Sequence, residues 1–115
     1  MTKPVQPLRI YVAGPYTKGD QAVNVRNAIF AGNYCRLLGH IPFIPHLSMI
    51  WQMLTPHDDV NFWYEYDMEW LKVCDAVLLI EGDSVGAEKE VAWAEEHGLK
   101  VYHNVFEIPR VPKTP

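Results

Sequence analysis

Residues 8–15 read LRIYVAGP, and that stretch decides the architecture. Leu8 to Ala13 is a short apolar run with one charge, as a buried strand requires, and Gly14-Pro15 then breaks it into a turn. A helical period follows. From Ala22 to Leu38 the positions Val25, Ala28, Ile29, Gly32, Cys35 and Leu38 recur at intervals of three and four, and Gly39 is placed to end the helix. His40 to Ile44 (HIPFI) reads as a second strand, and because Pro42 cannot donate to a ladder this strand belongs at a sheet edge. Pro45 to Asp59 mixes two prolines with Met49, Ile50, Trp51, Met53 and Leu54, the pattern of a long loop carrying a short helical piece. Asn61 to Val73 predicts a helix with Phe62, Tyr66, Trp70 and Val73 on one stripe, and Asp75 to Ile80 (DAVLLI) a strand covered on both faces. Ser84 can cap a helix that runs to His97 and stops at Gly98, and Leu99 to Val105 supplies a last strand. The tail at 106–115, FEIPRVPKTP, holds no regular element through its prolines and reads as a surface arm or an interface strap.

Strands alternating with helices imply a small parallel sheet with helices on both faces, a three-layer α/β fold of the flavodoxin or Rossmann-like kind. Right-handed crossovers with the proline strand at the margin give the order 2-1-3-4. All 115 residues read as one domain, too few for a second core. With 49% hydrophobic residues and 12% aromatics the composition is globular. Ten Lys plus Arg against fourteen Asp plus Glu give a net charge of −4 with no basic run, which argues against a nucleic-acid partner. Cys35 and Cys74 sit singly inside apolar stretches, so neither a disulfide framework nor a thiolate metal site is expected. No signal-like or membrane-spanning stretch occurs, and a reducing, cytoplasmic setting is the expectation.

In such a sheet ligands bind beyond the carboxyl ends of the strands, where the strand order switches. That rule selects Tyr11 to Lys18, Pro45 to Asp59 and Gly82 to Glu90. From them come the candidate binding residues Gly14, Pro15, Tyr16, Lys18, His46, Trp51, Ser84, Gly86 and Ala87. Ser84 with the N–H groups of Val85, Gly86 and Ala87 can hold an anion, or Ser84 can simply cap its helix; Asp83 and Glu88 add negative charge there. Glu90, two turns into the helix that starts after Ser84, is either an exposed helical acid or a carboxylate at the crevice. Tyr11 is either a core tyrosine or a phenol that orients a carboxylate. Asp75 opens a strand and suits a structural role. His40, His46 and His57 have no compact ligand spacing, so no metal is expected, and Trp51, Trp63 and Trp70 are candidates for an aromatic wall. The first turn, GPYTKGD, is neither GxGxxG nor a P-loop, so no dinucleotide or other cofactor is expected.

Taken in order, YVAGPYT, GHIPFIPH, CDAVLLI and DSVGAEKEVAWAEEHG resemble the nucleoside 2-deoxyribosyltransferase-like superfamily over about Ile10 to Val105, particularly its short bacterial and phage branch. They are also similar to the deoxynucleoside 5'-monophosphate N-glycosidases. The resemblance implies cleavage of the bond between C1' of a deoxyribose and a base nitrogen, by hydrolysis or by transfer to another base. It places the nucleophile on Glu90, the tyrosine that orients it on Tyr11, a phosphate-binding serine on Ser84, a strand-opening acid on Asp75 and an acid near the sugar or base on Asp83. Asp67 is a second candidate for protonating the leaving base. Two departures stand out: Glu88 replaces a glycine, and the loop after Pro15 lacks the Gly-Gly-Arg that holds phosphate, leaving Lys18 or Arg26 to supply that charge. The resemblance further implies a homodimer or larger assembly, with the tail around Arg110 reaching a neighbour's pocket. A non-catalytic nucleotide-binding protein of the same fold is the alternative.

Overall fold

Tyr11 and its neighbours lie at the centre of the sheet in the computed structural model, which describes residues 5–59 and 61–113. The strands are β1 (Arg9–Ala13), β2 (Ile41–Phe43), β3 (Ala76–Leu79) and β4 (Lys100–Tyr102), all parallel in the order β2-β1-β3-β4. This is the α/β architecture and strand order read from the sequence. Residues Ile10 to Ala13 are fully buried because β1 has a strand on either side and a helical layer on each face. Side chains alternate between those faces. Ile10, Ala76, Leu78 and Tyr102 meet Cys35, Leu38 and Ile108 on one side; Tyr11, Ala13 and Val77 meet Leu71, Cys74, Ala87 and Ala94 on the other.

Helix α1 (Gln21–Leu37) buries Val25, Ala28, Gly32 and Cys35. Asp20 caps its start by accepting the Val23 N–H at 3.1 Å. Its end is turned by Gly39, whose φ of +95° is costly for any residue with a side chain. Ile29 flanks the buried stripe and stays at the rim. Between β2 and β3 lie a 3₁₀ turn (Pro45–Leu47), α2 (Ser48–Leu54) and α3 (Phe62–Leu71). The predicted Phe62–Tyr66–Trp70–Val73 stripe is not the face that α3 buries: Phe62, Trp70 and Val73 are exposed, whereas Leu71 is fully buried and Met68 packs on the core. The aromatic rings satisfy one another instead. Trp51 of α2 meets Phe62, Trp63 and Tyr66, and Trp70 stacks on Phe43, so these rings form a layer beside the sheet. Helix α4 (Val85–Glu96) returns the chain to β4. The strand predicted to reach Val105 ends at Tyr102, because Asn104 accepts the Phe106 N–H and opens a second 3₁₀ turn (Val105–Glu107). Among the described residues, no helix is long and apolar enough to cross a membrane.

The tail is tied to the core. His40 is buried, accepts the Leu8 N–H at Nδ1 (3.0 Å) and donates from Nε2 to the Pro109 carbonyl (2.6 Å), while the Val111 N–H reaches the Leu38 carbonyl at 2.8 Å. Ile108 completes the α1-side core. His40→Ala strands a buried donor and a buried acceptor and leaves a void, so equilibrium urea unfolding is expected to show a loss of about 2–4 kcal/mol. A change under about 0.5 kcal/mol would mean that the strap carries no stability.

Candidate active site

The alternation along β1 turns Tyr11 toward α4, and the inner face of α4 supplies its partner. Ala87 and Ala94 are buried on that face, and Glu90 lies between them at helical spacing, where an apolar residue would ordinarily sit. The two alanines let the helix close on the sheet, so the Glu90 side chain is partly buried where it lines the crevice. The Tyr11 hydroxyl donates to Glu90 Oε2. A cavity of about 140 Å³ opens above this contact. Its walls are Gly14 and Tyr16 after β1, Pro45, His46 and Ser48 after β2, Trp63, Tyr64 and Asp67 of α3, and Ser84, Gly86 and Ala87 at the start of α4.

Two carboxyl groups share this cavity, and burial raises both of them. Burial pushes Glu90 up to about 7, while the hydrogen bond from Tyr11 favours its ionised form. Asp67 is pushed up to about 7 by burial and then by the charge of Glu90, and its Oδ1 has no hydrogen-bond partner among the described residues. Glu90 therefore ionises first, and its charge keeps the proton on Asp67. When the pair has lost its first proton, the Tyr11 hydrogen bond and the mutual repulsion favour ionised Glu90 beside protonated Asp67. Tyr11 stays a donor throughout, since burial and then the negative charge of Glu90 raise its hydroxyl well above the ordinary tyrosine range.

A raised carboxyl pKa favours the folded state at low pH. The contribution from Glu90 is fully present below its unfolded value near 4.5 and is lost as pH rises through about 7. Glu90→Gln removes the ionisation while an amide oxygen still accepts from Tyr11. Urea unfolding should show the variant more stable than wild type by about 3 kcal/mol at pH 8 and equal to it at pH 4. A difference independent of pH would contradict this origin.

The loops around the cavity are braced. The Asn24 amide donates to the carbonyls of Tyr16 (3.0 Å) and Lys18 (2.8 Å), fixing the turn after β1. Gly82, with φ +131°, lies against Pro15, where a Cβ would come within 2.5 Å of the proline ring. His46 is buried and donates from Nε2 to the Pro15 carbonyl (2.9 Å); burial lowers its pKa and keeps it neutral. Ser84 Oγ accepts the Ala87 N–H at 3.1 Å, the ordinary cap of α4. Trp63 is held by its indole N–H, which donates to Gln52 at 2.8 Å.

Glu90, Tyr11, Gly14, Tyr16, His46, Ser84, Gly86 and Ala87 thus come together at one crevice. Pro15 stands behind it as the acceptor for His46. Asp83, Lys18 and Trp51 lie outside. Asp83 is exposed and pairs with Lys18 at 3.6 Å, because the loop after β3 carries its side chain away from the cavity. Trp51 packs edge-on against Trp63 at 4.9 Å, behind the wall. The acid that faces Glu90 is Asp67, placed by the Trp63–Asp67–Leu71 line at intervals of four, a signal masked by the stronger aromatic stripe beside it. Asp75 serves the backbone, accepting the Arg9 N–H at 2.8 Å. Among the described residues no cluster of three or more His, Cys, Asp or Glu side chains is placed to hold a metal.

The fold and crevice define a small three-layer α/β protein with a partly buried Tyr–Glu pair at the switch in strand order. Residues 8–104 match the family described as Domain of unknown function (DUF7768), and the chain belongs to that family. No curated protein matches it. Among solved structures it is similar in fold to the 2-deoxyribosyltransferase from the psychrotolerant bacterium Bacillus psychrosaccharolyticus, described as a suitable biocatalyst for the industrial synthesis of antiviral and antitumoral nucleosides. The TM-score is 0.61 and the identity 24%, over 81% of this chain and 69% of that one.

Proposed function

We propose that the protein cleaves the N-glycosidic bond of a small nucleoside or nucleotide through Glu90, passing the sugar to water or to a second base. The observation that carries the reading is the Tyr11–Glu90 hydrogen bond at the floor of a cavity whose other acid is Asp67. Tyr11 occupies Oε2, leaving Oε1 of Glu90 with free lone pairs. In the first step Oε1 bonds to C1', the C1'–N bond breaks, and the base nitrogen takes the proton of Asp67. In the second, Asp67 as carboxylate takes a proton from water, the water oxygen bonds to C1', and Glu90 leaves as carboxylate. A base N–H in place of water makes the reaction a transfer. The singly protonated state of the pair, ionised Glu90 and protonated Asp67, is the one this sequence needs.

Trp63, Tyr64 and Tyr16 give the base apolar surface, and neutral His46 steadies the turn that carries Tyr16. The cavity is smaller than the roughly 300–1,000 Å³ of a complete small-molecule site. Ile50, Trp51, Met53 and Leu54 of α2 are exposed nearby, a surface that supports closure of the site by a second copy of the chain. The test is chromatographic release of free base from the common nucleosides and their 5'-monophosphates, with and without an acceptor base. Release by wild type that Glu90→Ala abolishes supports the reading; ligand binding without release, equal in both proteins, assigns a binding role instead.

A further inference from the structure

We infer that the outer face of α1 is an interface at which two copies of the chain pair helix against helix, antiparallel, about a two-fold axis beside Phe30. It goes beyond the glycosidic reading and does not depend on it. Helix α1 buries Val25, Ala28, Gly32 and Cys35 against the sheet. A helix so placed ordinarily turns charged and polar side chains to water on its opposite side. Here the opposite side carries Val23, Phe30, Tyr34 and Leu37, spaced by seven, four and three, which is the line along which two helices meet. All four are exposed, Phe30 by 65% and Leu37 by 58%. The strap adds a fifth apolar group. Phe106 is 85% exposed and meets Tyr34 edge-on, with ring centroids 6.4 Å apart. Its N–H is held by Asn104 at 2.9 Å, and Ile108 two residues on is seated in the core, so the fold itself sets this ring on the surface beside α1.

Area, symmetry and charge point to a second copy as the occupant. The stripe and Phe106 together expose on the order of 500 Å² of apolar surface, toward the upper end of the roughly 300–600 Å² of the largest patch on a monomer. With a rim that includes Asn27 and Asn33, pairing reaches the scale of about 800 Å² per partner that a stable complex buries. The stripe also matches itself. Phe30 lies seven residues from both Val23 and Leu37, so an antiparallel copy sets Val23 against Leu37, Asn27 beside Tyr34 and Phe30 against its own image. The apolar line carries no charge, and α1 has no Asp or Glu with which to hold a basic partner. Its two cations are compatible with self-pairing. Arg26 is four residues from Phe30 and so eight from its image, about 12 Å along the axis, beyond the roughly 10 Å Debye length of 0.1 M salt. Arg36 is turned aside, its Nε donating to Asn33 at 2.9 Å. Because α1 covers the side of the sheet opposite Tyr11 and α4, this pairing leaves the crevice open and is separate from any contact across α2.

The experiment is sedimentation velocity on the full chain from about 1 to 100 µM, where wild type is expected to show a concentration-dependent dimer. Phe30→Glu places two carboxylates across the axis and is expected to raise the dissociation constant of this pair about 100-fold or more, since the lost contact counts twice. Leu37→Glu, at the end of the stripe, is the second variant and is expected to weaken the pair in the same direction. Both positions are exposed in the single chain, so their urea midpoints at dilute concentration should match wild type. Met53→Glu, on α2, is the contrast and is expected to leave the α1 pair intact. A wild type that stays monomeric throughout overturns the inference, as does association that Met53→Glu abolishes and the two α1 variants leave unchanged. Wild-type chains that remain monomeric but co-sediment with vesicles of phosphatidylcholine and phosphatidylserine, with the binding lost in Phe30→Glu, would give the face to a lipid surface and overturn the pairing.

Discussion

Glu90→Ala is expected to lower kcat/KM for base release by about 10⁴-fold or more, the scale found when a nucleophile that works within a catalytic unit is removed. The size follows from the environment. In the proposed mechanism the truncation removes the attacking atom, and it takes away the carboxylate oxygen to which the Tyr11 hydroxyl donates. In the proposed mechanism Asp67, on α3, serves as the acid and does not replace the attacking carboxylate. The measurement is single-turnover release of base at pH 7. Glu90→Gln serves as its control for folding, because the amide preserves the contact with Tyr11. A variant within about tenfold of wild type would remove Glu90 from the mechanism.

Asp67→Asn is expected to cost about 10²–10⁴-fold, the usual contribution of a positioned general acid, and to change the shape of the pH profile. In the wild type, kcat/KM should be bell-shaped: activity rises as the pair gives up its first proton, from Glu90, and falls as it gives up the second, from Asp67. Both carboxyls are pushed up to about 7, so the optimum is narrow and the two limbs belong to the pair. With asparagine the alkaline limb disappears, since no acid remains to be lost. The acid limb moves to lower pH only to the extent that Asp67 had opposed ionisation of Glu90. A substrate whose base leaves as a stabilised anion needs less protonation and should lose far less on substitution. An equal loss for both substrates, with the alkaline limb intact, would make Asp67 a packing residue.

The parts legible in the sequence were those carried by local pattern. LRIYVAGP, the three-and-four spacing of α1 and the run DAVLLI each report a period that burial imposes on a strand or helix, and Pro42 marks an edge because it lacks a ladder donor. Those constraints are enough for the order β2-β1-β3-β4. Resemblance then singled out Glu90 and Tyr11. Local pattern misled on α3, where Phe62, Tyr66, Trp70 and Val73 form a convincing stripe. Aromatic rings can bury one another as well as a core, so a stripe of them does not say which face meets the sheet.

The sequence by itself determined the order of elements, the buried faces of α1 and β1 and the existence of a crevice beyond the strand ends. Tertiary structure alone decided which acids share that crevice. Asp67 lies in the middle of α3 and Asp83 in the turn before α4, and the sequence pattern around them, dominated by the aromatic stripe, does not say which of them faces Glu90. Packing of α3 against α4 brings the first beside Glu90, where burial and like charge keep its proton; the turn after β3 carries the second into water, where it pairs with Lys18. A carboxyl's role depends on the dielectric and the charges within a few ångströms of it, and those are set by residues far away in sequence.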